Sequence, residues 1–170
     1  GESGDMTDTR IESARGRAGT RRGGSAGRSG GTGRSSRDRP RPRRPSRYDF
    51  STATVRFSSD GDRCTATLYR PARPADAPVV VLAGPFAGER TFGPPRVAER
   101  LAELGIAALT FDYRRHGDSE GKPRGLVAPD RDREDWLAAL AALREVGGVD
   151  GGLVALWGAG YSGGVALAAA

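Results

Sequence analysis

The sequence predicts an α/β fold of three layers, a mostly parallel sheet between helices with an antiparallel hairpin at its start. Three observations carry that expectation. Short apolar runs at 79–83, 106–111 and 153–157 are hydrophobic on both faces, as buried parallel strands are. Segments of helical periodicity separate them, first Val97, Leu101 and Leu104, then Trp136, Leu140 and Leu143. Ahead of the first run, Val55 and Phe57, then Cys64, Ala66 and Leu68, alternate with polar residues around Ser59-Asp60-Gly61-Asp62, which is a hairpin signal. Strands and helices alternating at this spacing require helical crossovers between parallel strands.

Order is expected to begin at Tyr48. Residues 1–47 hold almost no apolar side chain beyond Met6 and Ile11 and cannot build a core, so they read as a disordered tail rich in Arg, Gly, Ser and Pro. The charge divides at the same boundary. The tail carries 13 arginines against five acids, whereas residues 48–170 carry 14 basic against 16 acidic groups. The net +6 therefore belongs to the tail and not to the folded surface. As an RNA-binding arm the tail would rely on phosphate attraction alone, because no aromatic residue is interleaved for base stacking. Nucleic acid is not the expected partner.

Cys64 is the single cysteine, so no intramolecular disulfide can form, and a reducing, cytoplasmic setting is expected. No apolar run reaches membrane-spanning length and no signal-peptide pattern opens the sequence.

Within 48–170 the elements follow in order. A Pro-rich connector at 71–78 leads into the strand 79–83, which breaks at Gly84-Pro85. The first helix ends at Gly105, a C-cap residue, and the strand 106–111 follows. A polar, Gly-rich loop at 112–129 precedes a helix over 130–146. After the strand 153–157, an alanine-rich helix opens at Ser162. Ligand chemistry in such sheets collects at the carboxyl ends of the strands, which singles out the loops at 84–92, 112–129 and 158–163.

The pattern G-x-S-x-G occurs around Ser25, around Ser29 and as Gly160-Tyr161-Ser162-Gly163-Gly164. Only the third lies between a strand and a helix, where a sharp turn exposes a serine hydroxyl. Ser162 is therefore the expected nucleophile, with the amide of Gly163 as an oxyanion donor. The second donor is expected from the loop after 79–83, at the amide of Phe86, since Pro85 has none. A rival pattern overlaps this one: Gly158, Gly160 and Gly163 satisfy G-x-G-x-x-G, the dinucleotide fingerprint. That fingerprint normally follows the first strand of its fold, and here at least two strand-helix steps precede it.

The residues 111–121, Phe-Asp-Tyr-Arg-Arg-His-Gly-Asp-Ser-Glu-Gly, resemble the "DYRGxGxSxG" loop after the fourth strand of the α/β-hydrolase superfamily. The residues 156–164, Leu-Trp-Gly-Ala-Gly-Tyr-Ser-Gly-Gly, resemble its nucleophile elbow. With Asp132-Arg133-Glu134-Asp135-Trp136 opening the intervening helix, the sequence is similar to bacterial serine hydrolases of the dienelactone-hydrolase and Xaa-Pro-peptidase-like type, and to fungal polyketide acyl-transfer enzymes. The resemblance implies the N-terminal part of a serine hydrolase, acting through an acyl-enzyme on an ester, thioester or peptide-like bond of a small molecule. It implies an acid and a histidine after the nucleophile, expected beyond residue 170. His116, the only histidine, precedes Ser162 and is not expected to be the base. No cofactor and no metal are expected, because Asp112, Asp118 and Glu120 share their loop with Arg114 and Arg115, so charge pairing accounts for them.

Overall fold

The computed structural model describes residues 10–14, 48–86 and 88–170. Strand β1 (Arg10–Ala14) is followed by β2 (Phe50–Ser59), β3 (Asp62–Pro71), β4 (Ala77–Ala83), helix α1 (Pro94–Glu103), β5 (Ala107–Phe111), α2 (Pro129–Leu143), β6 (Val149–Gly158) and α3 (Tyr161–Ala169). They form one mixed sheet in the order β1-β2-β3-β5-β4-β6.

The hairpin β2–β3 closes on Asp60 and Gly61, both at positive φ (48° and 82°), the handedness that matches the twist of the strands they join. Strand β3 then pairs antiparallel with β5, and β4 runs parallel to both β5 and β6. From β4 the chain crosses to β5 on one side, and from β5 it crosses back over β4 to β6. The neighbours of β4 are thus reached in opposite directions, the arrangement that opens a crevice at the carboxyl end of a sheet.

Side-chain alternation on β4 separates the two faces. Val79, Val81 and Ala83 join the larger core with Leu109, Phe111, Trp136, Leu143 and Val165. Leu82 and Val80 face the other way, against Ala98, Ala102, Val97 and Leu101 of α1. The helices α2 and α3 therefore cover one face and α1 the other, which makes the three layers. Helix α2 starts with Pro129 at its first turn, where the missing N–H costs nothing, and with Asp130 and Asp132 beside the positive end of the helix.

Two features differ from the expectation. Within the segment expected to be without structure, Arg10–Ala14 is strand β1, paired antiparallel with Thr52 to Arg56 of β2; the other residues of 1–47 lie outside the described residues. The strand expected at 153–157 is longer, spanning Val149–Gly158. A register shift between Pro78 and Val79 lets β6 start at Val149, and among the described residues β6 pairs with β4. Leu153 of β6 is 61% exposed and Leu167 of α3 is 79% exposed.

Candidate active site

The last ladder pair between β4 and β6 is Ala83 with Gly158, so both strands end at one level. Three residues later the chain is already helical, and the whole reversal falls on Ala159 and Gly160. Gly160 takes φ 58° and ψ −124°, a conformation that L side chains adopt only under strain. The turn brings helix and strand into contact at one point. A Cβ on Gly158 would lie 2.5 Å from the carbonyl carbon and oxygen of Ser162 and 2.6 Å from the amide nitrogen of Gly163.

Ser162 is the second residue of α3 and is completely buried. Its hydroxyl donates a short hydrogen bond to the carbonyl of Gly84, in the loop after β4, and accepts one from the Tyr113 hydroxyl at 3.0 Å. Tyr113 in turn accepts from Nε1 of Trp136 at 2.8 Å. Burial pushes the Tyr113 phenol up to about 12, against the pull of its hydrogen bonds to Ser162 and Trp136, so it stays a neutral donor. A hydroxyl with no exposure and both roles occupied is a tie between β4, β5 and α3. It does not have the exposed geometry expected of a nucleophile.

The amide of Gly163, expected as an oxyanion donor, donates to the Gly160 carbonyl at 3.1 Å. Phe86 lies where the sequence places it, in the loop after β4. Its ring stands edge-on to that of Tyr161, centroids 5.4 Å apart, so this loop flanks the start of α3. The amide of Tyr161, in the first turn, is one of the donors that a helix leaves without an intrahelical acceptor.

The loop 112–128 is held by buried charge. Asp112, fully buried, accepts from the guanidinium and the amide of Arg90 and from the amide of Asp118. Asp118 pairs with the same Arg90 and Glu120 pairs with Arg63. The acids are paired as expected, but with arginines from outside their loop and not with Arg114 and Arg115. Arg114, 1% exposed, reaches instead to Asp60 at 3.0 Å, Glu134 at 2.7 Å and Asp135 at 2.6 Å. Burial disfavours its charge, yet Glu134 and Asp135 more than offset that and hold its pKa above the ordinary value. Asp135 also accepts from the Ser59 hydroxyl and the Arg114 amide. His116 turns Nδ1 towards the Arg114 carbonyl, 3.1 Å away. Among the described residues no group of His, Cys, Asp and Glu has the arrangement of a metal site.

A three-layer sheet with this strand order, a strand-turn-helix elbow and an arginine-clamped loop after β5 define an α/β-hydrolase. Solved structures agree: the α/β hydrolase GrgF from Penicillium superimposes with a TM-score of 0.66 at 28% identity, over 69% of this chain and 40% of that one. The chain belongs to the X-Pro dipeptidyl-peptidase family (S15), whose pattern matches residues 60–170. It is 41% identical over 116 residues to the quorum-quenching protein AidA of Acinetobacter baumannii, covering 68% of this chain and 38% of AidA. It is 37% identical over 111 residues to the thiohydrolase aneE of Aspergillus aculeatus, covering 65% of this chain and 34% of that one. The chain thus spans just over a third of the length of these curated relatives. The family match also disposes of the dinucleotide-binding alternative for Gly158, Gly160 and Gly163.

Proposed function

We propose that the protein binds small-molecule acyl compounds, esters, thioesters or peptide-like amides, at the carboxyl ends of β4 and β6. The carbonyl oxygen sits between the amides of Tyr161 and Phe86. The observation that carries this reading is the contact between the loop after β4 and the start of α3, made by the Phe86 and Tyr161 rings and by the bond from Ser162 to Gly84. That contact sets a free helix N-terminus beside a second backbone segment, the arrangement that stabilises negative charge on a carbonyl oxygen. In the whole protein, cleavage or transfer of the bound ester, thioester or peptide-like bond would require an attacking group other than the buried Ser162 hydroxyl, together with an acid and a histidine base. A cytoplasmic setting accords with Cys64, which is buried and whose thiol burial pushes well above its ordinary range.

The test is binding. The protein expressed from its complete reading frame is titrated with stable ketone isosteres of a short ester, a thioester and an X-Pro amide, followed by tryptophan fluorescence. Saturable binding of at least one is expected, and Phe86→Pro, which removes the amide, should weaken it by roughly tenfold. No saturable binding by any of the three would refute the reading.

A further inference from the structure

We infer that residue 160 is the seat of the nucleophile in this elbow, that a glycine occupies it, and that the protein therefore presents no nucleophilic side chain there. The inference rests on the acyl-binding reading above and specifies its chemistry.

Two frames compete for the turn, one centred on Ser162 and one centred on Gly160. An elbow has three physical marks: a strained backbone at the central residue, a central side chain directed into open space, and close approach of the backbones on either side of it. The strain falls on Gly160. An added Cβ at Gly160 meets nothing within 4 Å, whereas the Ser162 side chain is wholly enclosed. The close approach joins Gly158 to Ser162, two residues before and two after position 160. A frame centred on Ser162 would need that crowding at Gly160 and Gly164, and a Cβ on either one meets nothing within 4 Å.

The remaining groups follow the same frame. The residue after the seat is Tyr161, whose amide lies in the open first turn, while the amide of Gly163 is spent on the Gly160 carbonyl. Ser162, two places on, is the small residue under the elbow, and its hydroxyl ties that crossing to Gly84 and Tyr113. The seat is thus built and aimed, with no oxygen or sulfur on it. A carbonyl bound between Tyr161 and Phe86 is held and polarised without being attacked from the elbow.

The experiment has two arms. In the first, wild-type protein from the complete reading frame is treated with a fluorophosphonate, which labels a reactive serine by forming the oxygen–phosphorus bond as fluoride leaves. No elbow label is expected, and phosphonylated Ser162 in the mapped peptide overturns the inference. In the second, Gly160→Cys and Ser162→Cys are compared for reaction with dithiobisnitrobenzoate, in which the thiolate takes one half of the reagent as a mixed disulfide and the other half leaves as thiolate. The buried Cys64 is the internal control. The thiol at 160 should react on the order of 100-fold faster than the thiol at 162. Equal rates, or a faster thiol at 162, overturn the inference. Ketone binding with a protected thiol at 160 would leave the acyl-binding reading standing and remove this one. A reactive thiol at 160 without ketone binding would do the reverse.

Discussion

Alanine at Gly158, Gly160 and Gly164 separates the two frames of the elbow by stability alone. At Gly158 the new Cβ would lie 2.5 Å from the carbonyl carbon and oxygen of Ser162, backbone atoms that no rotamer change can move. Helix α3 must shift away from β6, at a cost of about 3 kcal/mol, the upper end for overpacking a close-packed interior. At Gly160 there is space, but φ is 58°, and a Cβ in that conformation costs roughly 1–2 kcal/mol. Gly164 lies inside α3 with nothing within 4 Å of the added atom, so alanine there should stabilise by about 0.5–1 kcal/mol through helix propensity. Urea melts followed by far-UV circular dichroism should rank the proteins Gly164→Ala, wild type, Gly160→Ala, Gly158→Ala. In thermal melts the separation between first and last would be on the order of 15 °C. A Gly158→Ala protein as stable as wild type, or a Gly164→Ala protein as damaged as Gly158→Ala, would refute the placement of the crossing.

Two further predictions concern buried polar groups. Arg114→Met removes the cation from the fully buried Asp135 and should cost roughly 3–5 kcal/mol in urea denaturation, with part recovered in Arg114→Met/Asp135→Asn. An additive double variant would contradict the pairing. Tyr113 has its phenol pushed up to about 12 in the folded protein, against about 10 in an unfolded chain. Its neutral form is the one the fold favours, so its contribution is complete below pH 10 and is lost as pH rises towards 12. That loss amounts to about 2–3 kcal/mol, and stability measured across this window should fall less in Tyr113→Phe than in wild type. Parallel pH profiles for the two proteins would contradict the assignment.

Much of the fold was legible because its signals are local. Asp60-Gly61 between alternating strands specifies the hairpin, and the spacing of Trp136, Leu140 and Leu143 places α2 within a few residues of its observed span. What the sequence concealed depends on partners distant along the chain. The start of β6 at Val149 depends on a register shift opposite Pro78 and Val79 of β4, which no local pattern in residues 149–152 announces. The same limit hid the partners of Asp112 and Glu120: adjacent arginines looked adequate, yet the loop folds back to meet Arg90 and Arg63.

The elbow is legible in the sequence, but two frames fit it. Gly158, Gly160, Ser162, Gly163 and Gly164 are all small, so the motif spacing is satisfied around both 160 and 162. Ser162 carries the one hydroxyl among those five residues, which favours its frame on sequence alone. The end of the β4–β6 ladder at Gly158 supports the frame at 160, since it leaves Ala159 and Gly160 for the turn and puts Ser162 inside the helix.

The arginine at 114 draws together segments far apart in the chain: the hairpin turn at Asp60, the loop it belongs to, and Glu134 and Asp135 of α2. The set of contacts is complete only when all three segments have arrived, and the pairing with Asp60 closes the longest stretch of chain. The clamp is in that sense a fastening applied to an assembled structure and not a seed for one. Weakening it should leave the rate of assembly nearly unchanged and shorten the lifetime of the folded protein. Tyr113, the residue before Arg114, supports the underside of the elbow through Ser162, so the life of the clamp is also the life of the site above it.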